Sequence, residues 1–258
     1  MPDVLVLCYH AVSHRWEAAL SVTPAALRGQ LSFLVSRGWV GATFTEAVTS
    51  PPASRTLAVT FDDGFDSVRT LGAPILDELG LPGTVFVPTD WPGRAMRWPG
   101  IEQWADTPFA HELQAMSWDQ LRALSARGWE IGAHTCSHPR LSQLDPGAVE
   151  RELGEGRATC EREIGAVCRS VAYPFGDATE RIRAAAAAAG YDAAAGLFQR
   201  AIAPPDRFGW PRLGVWHDDG ERRFRLKVGA AVSITRAARS RSALQRIRTP
   251  SARRPTPV

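Results

Sequence analysis

Two aspartates, Asp62 and Asp63, stand side by side in the stretch LAVTFDDGFD, residues 57–66, directly after a run patterned like a buried strand. Two carboxylates at one strand end repel each other, so something positive belongs beside them. The stretch HTCSH, residues 134–138, follows the strand-like WEIGA and presents His134 and His138 four apart on one side of a turn. Two imidazoles at that spacing can bind one metal ion, and an aspartate from another strand end would complete an open site. Alone, such a pair reads more readily as surface or capping histidines. The acidic pair at a neighbouring strand end favours the metal. A third stretch, AYPFGD, residues 172–177, has a proline that lacks an N–H and a glycine that permits a sharp turn, and by itself is only a turn.

These residues need a frame that brings strand ends together. Strand-like runs fall at 4–9, 39–44, 56–61, 83–87, 129–133, 170–173, 192–195 and 213–216, with helical stretches between them. Helix starts are marked by Thr23-Pro24, Ser117-Trp118-Asp119 and Asp145-Pro146, and stops by Arg37-Gly38, Arg127-Gly128 and Gly190 after the alanine run 184–189. Alternating strands and helices predict an α/β fold, a (β/α) barrel with an open doubly wound sheet as the alternative. His10, the aspartate pair, His134 and Tyr173-Pro174 each fall just past a predicted strand, where barrel enzymes assemble their sites, and this favours the barrel. Residues 89–116, rich in tryptophan and proline, read as a long inserted loop.

Together the three stretches resemble the polysaccharide deacetylase family, carbohydrate esterase family 4, the NodB homology domain. Its blocks TFDDG, H-[ST]-x-x-H and Pro-aromatic-Gly match residues 60–64, 134–138 and 174–176, with Tyr173 leading into the last. The resemblance implies a distorted (β/α) barrel holding one divalent metal ion, zinc with cobalt, nickel or iron as alternatives, through Asp63, His134 and His138. It also implies Asp62 as general base, the Tyr173 backbone N–H as oxyanion donor and Pro174 as the residue fixing that turn. The metal would acidify a water and polarise an acetyl carbonyl. Two family features are displaced. The arginine that orients the base aligns with Ala172, leaving Arg212 as its candidate replacement or as a plain surface arginine. The late acid histidine has only His217 as candidate, or His217 is a turn residue beside Asp218-Asp219. His10 resembles the YH opening of deacetylases of exopolysaccharide and envelope glycans, and is expected near the substrate at the mouth. His14 and His111 read as exposed loop histidines.

The expected function is removal of acetyl groups from N-acetylated, or O-acetylated, sugars, glycans or glycan precursors. A family hydrolase acting on a non-sugar amide or cyclic imide is one alternative, and a silent glycan-binding module is another. Four scattered cysteines without a CxxC pair read as free thiols. The net charge of +3 hides an asymmetry: residues 221–258 carry eleven basic residues against Glu221 alone. The expected division is a barrel at 1–228 and a basic, flexible tail at 229–258. That tail reads first as a solvated segment, with attraction to an anionic membrane surface as the alternative, and no fold for specific nucleic-acid binding is recognisable. No run is long and apolar enough to span a membrane and the N-terminus lacks a signal-peptide pattern, so the expected location is cytoplasmic, with a peripheral membrane position as the alternative.

Overall fold

The computed structural model describes residues 2–198 and 206–248. Its strands are β1 (Asp3–Tyr9), β2 (Ala11–Val12), β3 (Ser21–Val22), β4 (Val40–Ala42), β5 (Arg55–Phe61), β6 (Gly83–Val87), β7 (Glu130–Ala133), β8 (Ser170–Ala172), β9 (Ala193–Leu197) and β10 (Trp210–Gly214). The helices are α1 (Pro24–Val35), α2 (Phe44–Thr49), α3 (Ala73–Glu78), α4 (Trp118–Ser125), α5 (Pro146–Ile164), α6 (Glu180–Ala188) and α7 (Glu221–Arg248). The start signals act as caps: the side chains of Thr23, Ser117 and Asp145 accept backbone N–H bonds at the heads of α1, α4 and α5.

Seven parallel strands close a barrel in the order β1-β10-β9-β8-β7-β6-β5, sealed where β5 pairs with β1 from Asp3↔Arg55 to Tyr9↔Phe61. β4 stays outside that ring, pairing only with the first half of β5, whose second half pairs with β6. All eight expected strands are present, with one displaced: the last is Trp210–Gly214 and not 213–216. Pro211 hides that strand in the sequence, yet it is tolerated because β10 meets β1 only from Leu213 onward.

Alternation along the strands divides the interior into two clusters. Leu5, Leu7 and Tyr9 of β1 face the helices, whereas Val4 and Val6 face the lumen with Ala58, Ala172, Ala193 and Ala195. The small alanines matter. They leave the lumen room for a complete arginine side chain, Arg212, which is 0% exposed.

The boundary expected at residue 228 falls inside α7. Phe224, Val228, Ala231 and Thr235 form one buried stripe, and Arg236 pairs with Asp3 at the start of β1. The segment up to Arg236 is therefore a packed helix and not a flexible tail, because its helical repeat gives it an apolar face that charge alone conceals. Residues 249–258 of the expected tail lie outside the described residues.

Candidate active site and metal centre

Asp62 extends the β1–β5 ladder, donating its N–H to Tyr9 O at 2.9 Å, and its side chain enters the lumen. In a regular strand the next side chain would point away. Asp63 avoids this with a left-handed backbone, φ +70°, followed by Gly64 at φ +71°. A non-glycine residue in that region costs about 1–3 kcal/mol, and here the distortion turns both carboxylates toward the mouth.

His134 ends β7. Its Nδ1 lies 2.8 Å from Ala172 O, so Nδ1 carries the proton and the Nε2 lone pair faces Asp63 Oδ1 at 3.6 Å. His138 Nε2 lies 3.3 Å from the same oxygen. Thr135 and His138 also have left-handed backbones, and the Thr135 hydroxyl accepts the His138 N–H at 3.1 Å, folding the five-residue loop so that both imidazoles converge. Trp98 of the long loop stacks on His138 with centroids 4.4 Å apart, and Phe175 meets it edge-on at 4.9 Å.

α5 supports this loop from behind. Glu152 accepts the N–H groups of Cys136 at 2.8 Å and Ser137 at 3.0 Å, and the Ser137 hydroxyl at 2.7 Å. One turn further, a Cβ on Gly156 would stand 3.2 Å from the Thr135 carbonyl carbon, so glycine lets α5 approach closely. Glu152 escapes a sequence reading because it lies 14 residues beyond the motif it braces, on a helix face revealed only by packing.

The donor set fits a metal ion. Asp63 Oδ1 is buried and no hydrogen-bond donor aligns with it, since His138 Nε2 approaches it without hydrogen-bond geometry. Burial lowers the His134 imidazole to about 4, so it is neutral with its lone pair available at neutral pH. Two imidazole nitrogens and one carboxylate oxygen, all within 4.8 Å of one another, are a set that zinc and similar ions accept.

Asp62 is held differently. Arg212 Nη1 donates to its Oδ1 at 2.6 Å and Nη2 to its Oδ2 at 2.7 Å, a bidentate pair buried in the lumen. Burial pushes the Asp62 carboxyl up, but the Arg212 charge and hydrogen bonds, together with the neighbouring histidines, outweigh it and hold the group well below the usual carboxylate range. Arg212 is thus no surface arginine. Its own position is fixed by Nε donating to Gly196 O at 3.1 Å.

The other expected residues fare unequally. The Tyr173 N–H donates to Ala195 O at 3.0 Å, which extends the β8–β9 ladder and leaves nothing for an oxyanion. Pro174 begins the following turn with no N–H to give, and the Gly176 N–H closes that turn on Tyr173 O. The remaining donor is the Phe175 N–H, in a left-handed residue at φ +60° beside His138. His217 is half-buried in the turn before α7, where its N–H donates to Ala19 O. His10 is instead the histidine next to the carboxylates: its charge acts on both Asp62 and Asp63, and its ring stacks on Trp216 at 5.3 Å.

Comparison with known proteins agrees with this fold. The family model described as Polysaccharide deacetylase matches residues 49–194. A curated relative, "Putative polysaccharide deacetylase YxkH" of Bacillus subtilis (strain 168), is 22% identical over 191 residues, covering 72% of this chain. The matched region is 61% of that relative's length. Among solved structures, IcaB from Ammonifex degensii superposes with a TM-score of 0.71 at 24% identity, covering 90% of this chain and 97% of that one. The Streptococcus pyogenes deacetylase PplD in complex with acetate gives 0.71 at 19% identity, covering 87% and 97%. These similarities establish a shared barrel.

Proposed function

Because the chain belongs to the polysaccharide deacetylase family, we propose that it hydrolyses acetyl groups from N-acetylated sugars or glycan precursors, with a divalent metal ion, zinc by the donor set, held by Asp63, His134 and His138. The observation that carries this reading is the different surroundings of the adjacent aspartates. Asp63 faces two neutral-capable imidazoles, and Asp62 faces a guanidinium.

Bound in the first site, the metal supplies Lewis acidity, making water more acidic and the acetyl carbonyl more electrophilic. Asp62, ionised and fixed by Arg212, accepts the proton of the attacking water. The negative oxygen that develops on the acetyl carbon is met by the Phe175 N–H, a donor of a kind worth roughly 3 kcal/mol when preorganised. His10 gives its proton to the leaving nitrogen as the carbon–nitrogen bond breaks. The products are acetate and a free amine. Trp98 and Phe175 flank His138 and shape an aromatic wall against which a sugar ring can lie.

The test is acetate release from a panel of N-acetylglucosamine monosaccharides, oligomers, nucleotide sugars and O-acetyl esters, with zinc or cobalt added. Metal-dependent release from an N-acetyl sugar supports the reading. A protein that binds glycans and releases no acetate from any panel member contradicts it.

A further inference from the structure

β1 sends two successive lumen-facing side chains, Cys8 and His10, up to the carboxylate at the end of β5. Cys8 pairs in register with Thr60, so one pleat further on His10 stands level with Asp62. The Cys8 thiol donates to Asp62 Oδ2 at 3.4 Å, and one ligand atom from each of Cys8, His10 and Asp62 lies within 4.8 Å of the other two. His10 Nδ1 is buried with no hydrogen-bond partner. None of these three residues belongs to the Asp63, His134 and His138 set.

We propose that Cys8, His10 and Asp62 form a second, inhibitory binding site for a thiophilic divalent cation such as excess Zn²⁺ or Cd²⁺. A thiolate, an imidazole and a carboxylate make a donor set that such ions favour over magnesium or calcium. A tetrahedral ion with bonds of about 2.0–2.3 Å needs its ligand atoms roughly 3.3–3.8 Å apart. The Cys8 to Asp62 distance already lies in that range, and His10 has only to close a small gap. Arg212 opposes the ion, since its guanidinium already holds both Asp62 oxygens. Each oxygen keeps a second lone pair, and Cys8 releases its proton to solvent on binding, so two anionic ligands then face the ion and the guanidinium. The site is therefore weaker than the first and fills only when metal is in excess.

The binding itself stands on these three side chains alone. Its inhibitory effect rests on the proposed proton-transfer roles of Asp62 and His10, which the ion would occupy together.

Protein loaded with one equivalent of zinc is titrated with Cd²⁺ and, separately, with further Zn²⁺. Metal content, the ultraviolet thiolate-to-cadmium absorption and acetate release are followed together. The wild type should take a second equivalent, gain the absorption and lose acetate release in step. Cys8→Ala and the nearly isosteric Cys8→Ser should lack the absorption, and their second-site affinity should fall by more than the roughly 10- to 100-fold that losing one supporting hydrogen bond costs. Cys168→Ala, which alters a buried thiol outside both sites, should behave as wild type. Saturation of the wild type at one equivalent overturns the site, as does an unchanged second equivalent in both Cys8 variants. Binding through Cys8 that leaves acetate release untouched overturns the inhibitory role and, with it, the proton-transfer roles given to Asp62 and His10.

Discussion

Arg212 of β10 reaches through the barrel lumen past β1 and holds Asp62, just beyond the end of β5, by two parallel bonds of 2.6 and 2.7 Å, 150 residues apart in the chain. The guanidinium keeps the carboxylate ionised and fixes its plane, so that the proposed proton acceptor cannot rotate away.

Removing that partner should show first in the pH profile. In Arg212→Ala the largest lowering influence disappears and burial is opposed only by the neighbouring histidines, so the Asp62 pKa rises, the acid limb of the rate profile should move to higher pH and turnover at neutral pH should fall. An unpaired buried carboxylate should also cost about 3–5 kcal/mol in stability. Arg212→Lys, which retains the charge without the fork, should recover part of both losses. An acid limb that stays in place in both variants would separate Arg212 from the base.

For the leaving-group proton, His10→Ala should lower kcat on amides by about 10²–10⁴-fold, the usual range for a positioned acid. His217→Ala should leave kcat close to wild type. Steady-state kinetics on one N-acetyl substrate compares them, and the opposite ranking would return the role to His217.

Both corrections to the site concern what distant strands do to a local motif. TFDDG and HTCSH were legible because their own residues carry the ligands and the turn. The Tyr173 N–H was not, since whether it is free depends on β9 arriving beside β8 with Ala195 O opposite. Nor could the sequence separate His10 from His217, because the choice depends on Trp216 folding back onto His10. The sequence leaves Arg212 open between partner of the base and surface arginine, because the alanines that make its lumen position feasible lie on β8 and β9.

The metal-free protein should lose stability in acid through His134. Its imidazole sits near 4 when folded, against about 6.5 in an unfolded chain, because burial disfavours its charge. The unfolded chain therefore takes up a proton that the folded one refuses. Stability is complete above about pH 6.5 and declines as pH falls toward 4, by about 3 kcal/mol in all. Urea midpoints at pH 7 and 4.5 measure the decline, and His134→Asn should reduce it. An equal decline in that variant would assign the effect to other groups.

Truncation within α7 tests its packing. Ending the chain after Gly229 removes buried Ala231 and Thr235, the half-buried Val232 and the Arg236–Asp3 pair. The melting temperature should fall by the equivalent of about 1–3 kcal/mol. A melting temperature equal to that of the full chain would show that the distal helix adds no stability.

The central claim is that neighbouring aspartates do different work, and metal content measured beside acetate release in two variants tests it most directly. Asp63→Ala removes an anionic ligand, so it should carry much less metal and recover little activity in excess zinc. Asp62→Asn keeps the side chain's size but cannot take the proton, so it should retain its metal while turnover falls by about 10²–10⁴-fold. Asp62→Asn losing its metal while Asp63→Ala keeps it, or neither variant changing either quantity, would contradict the account.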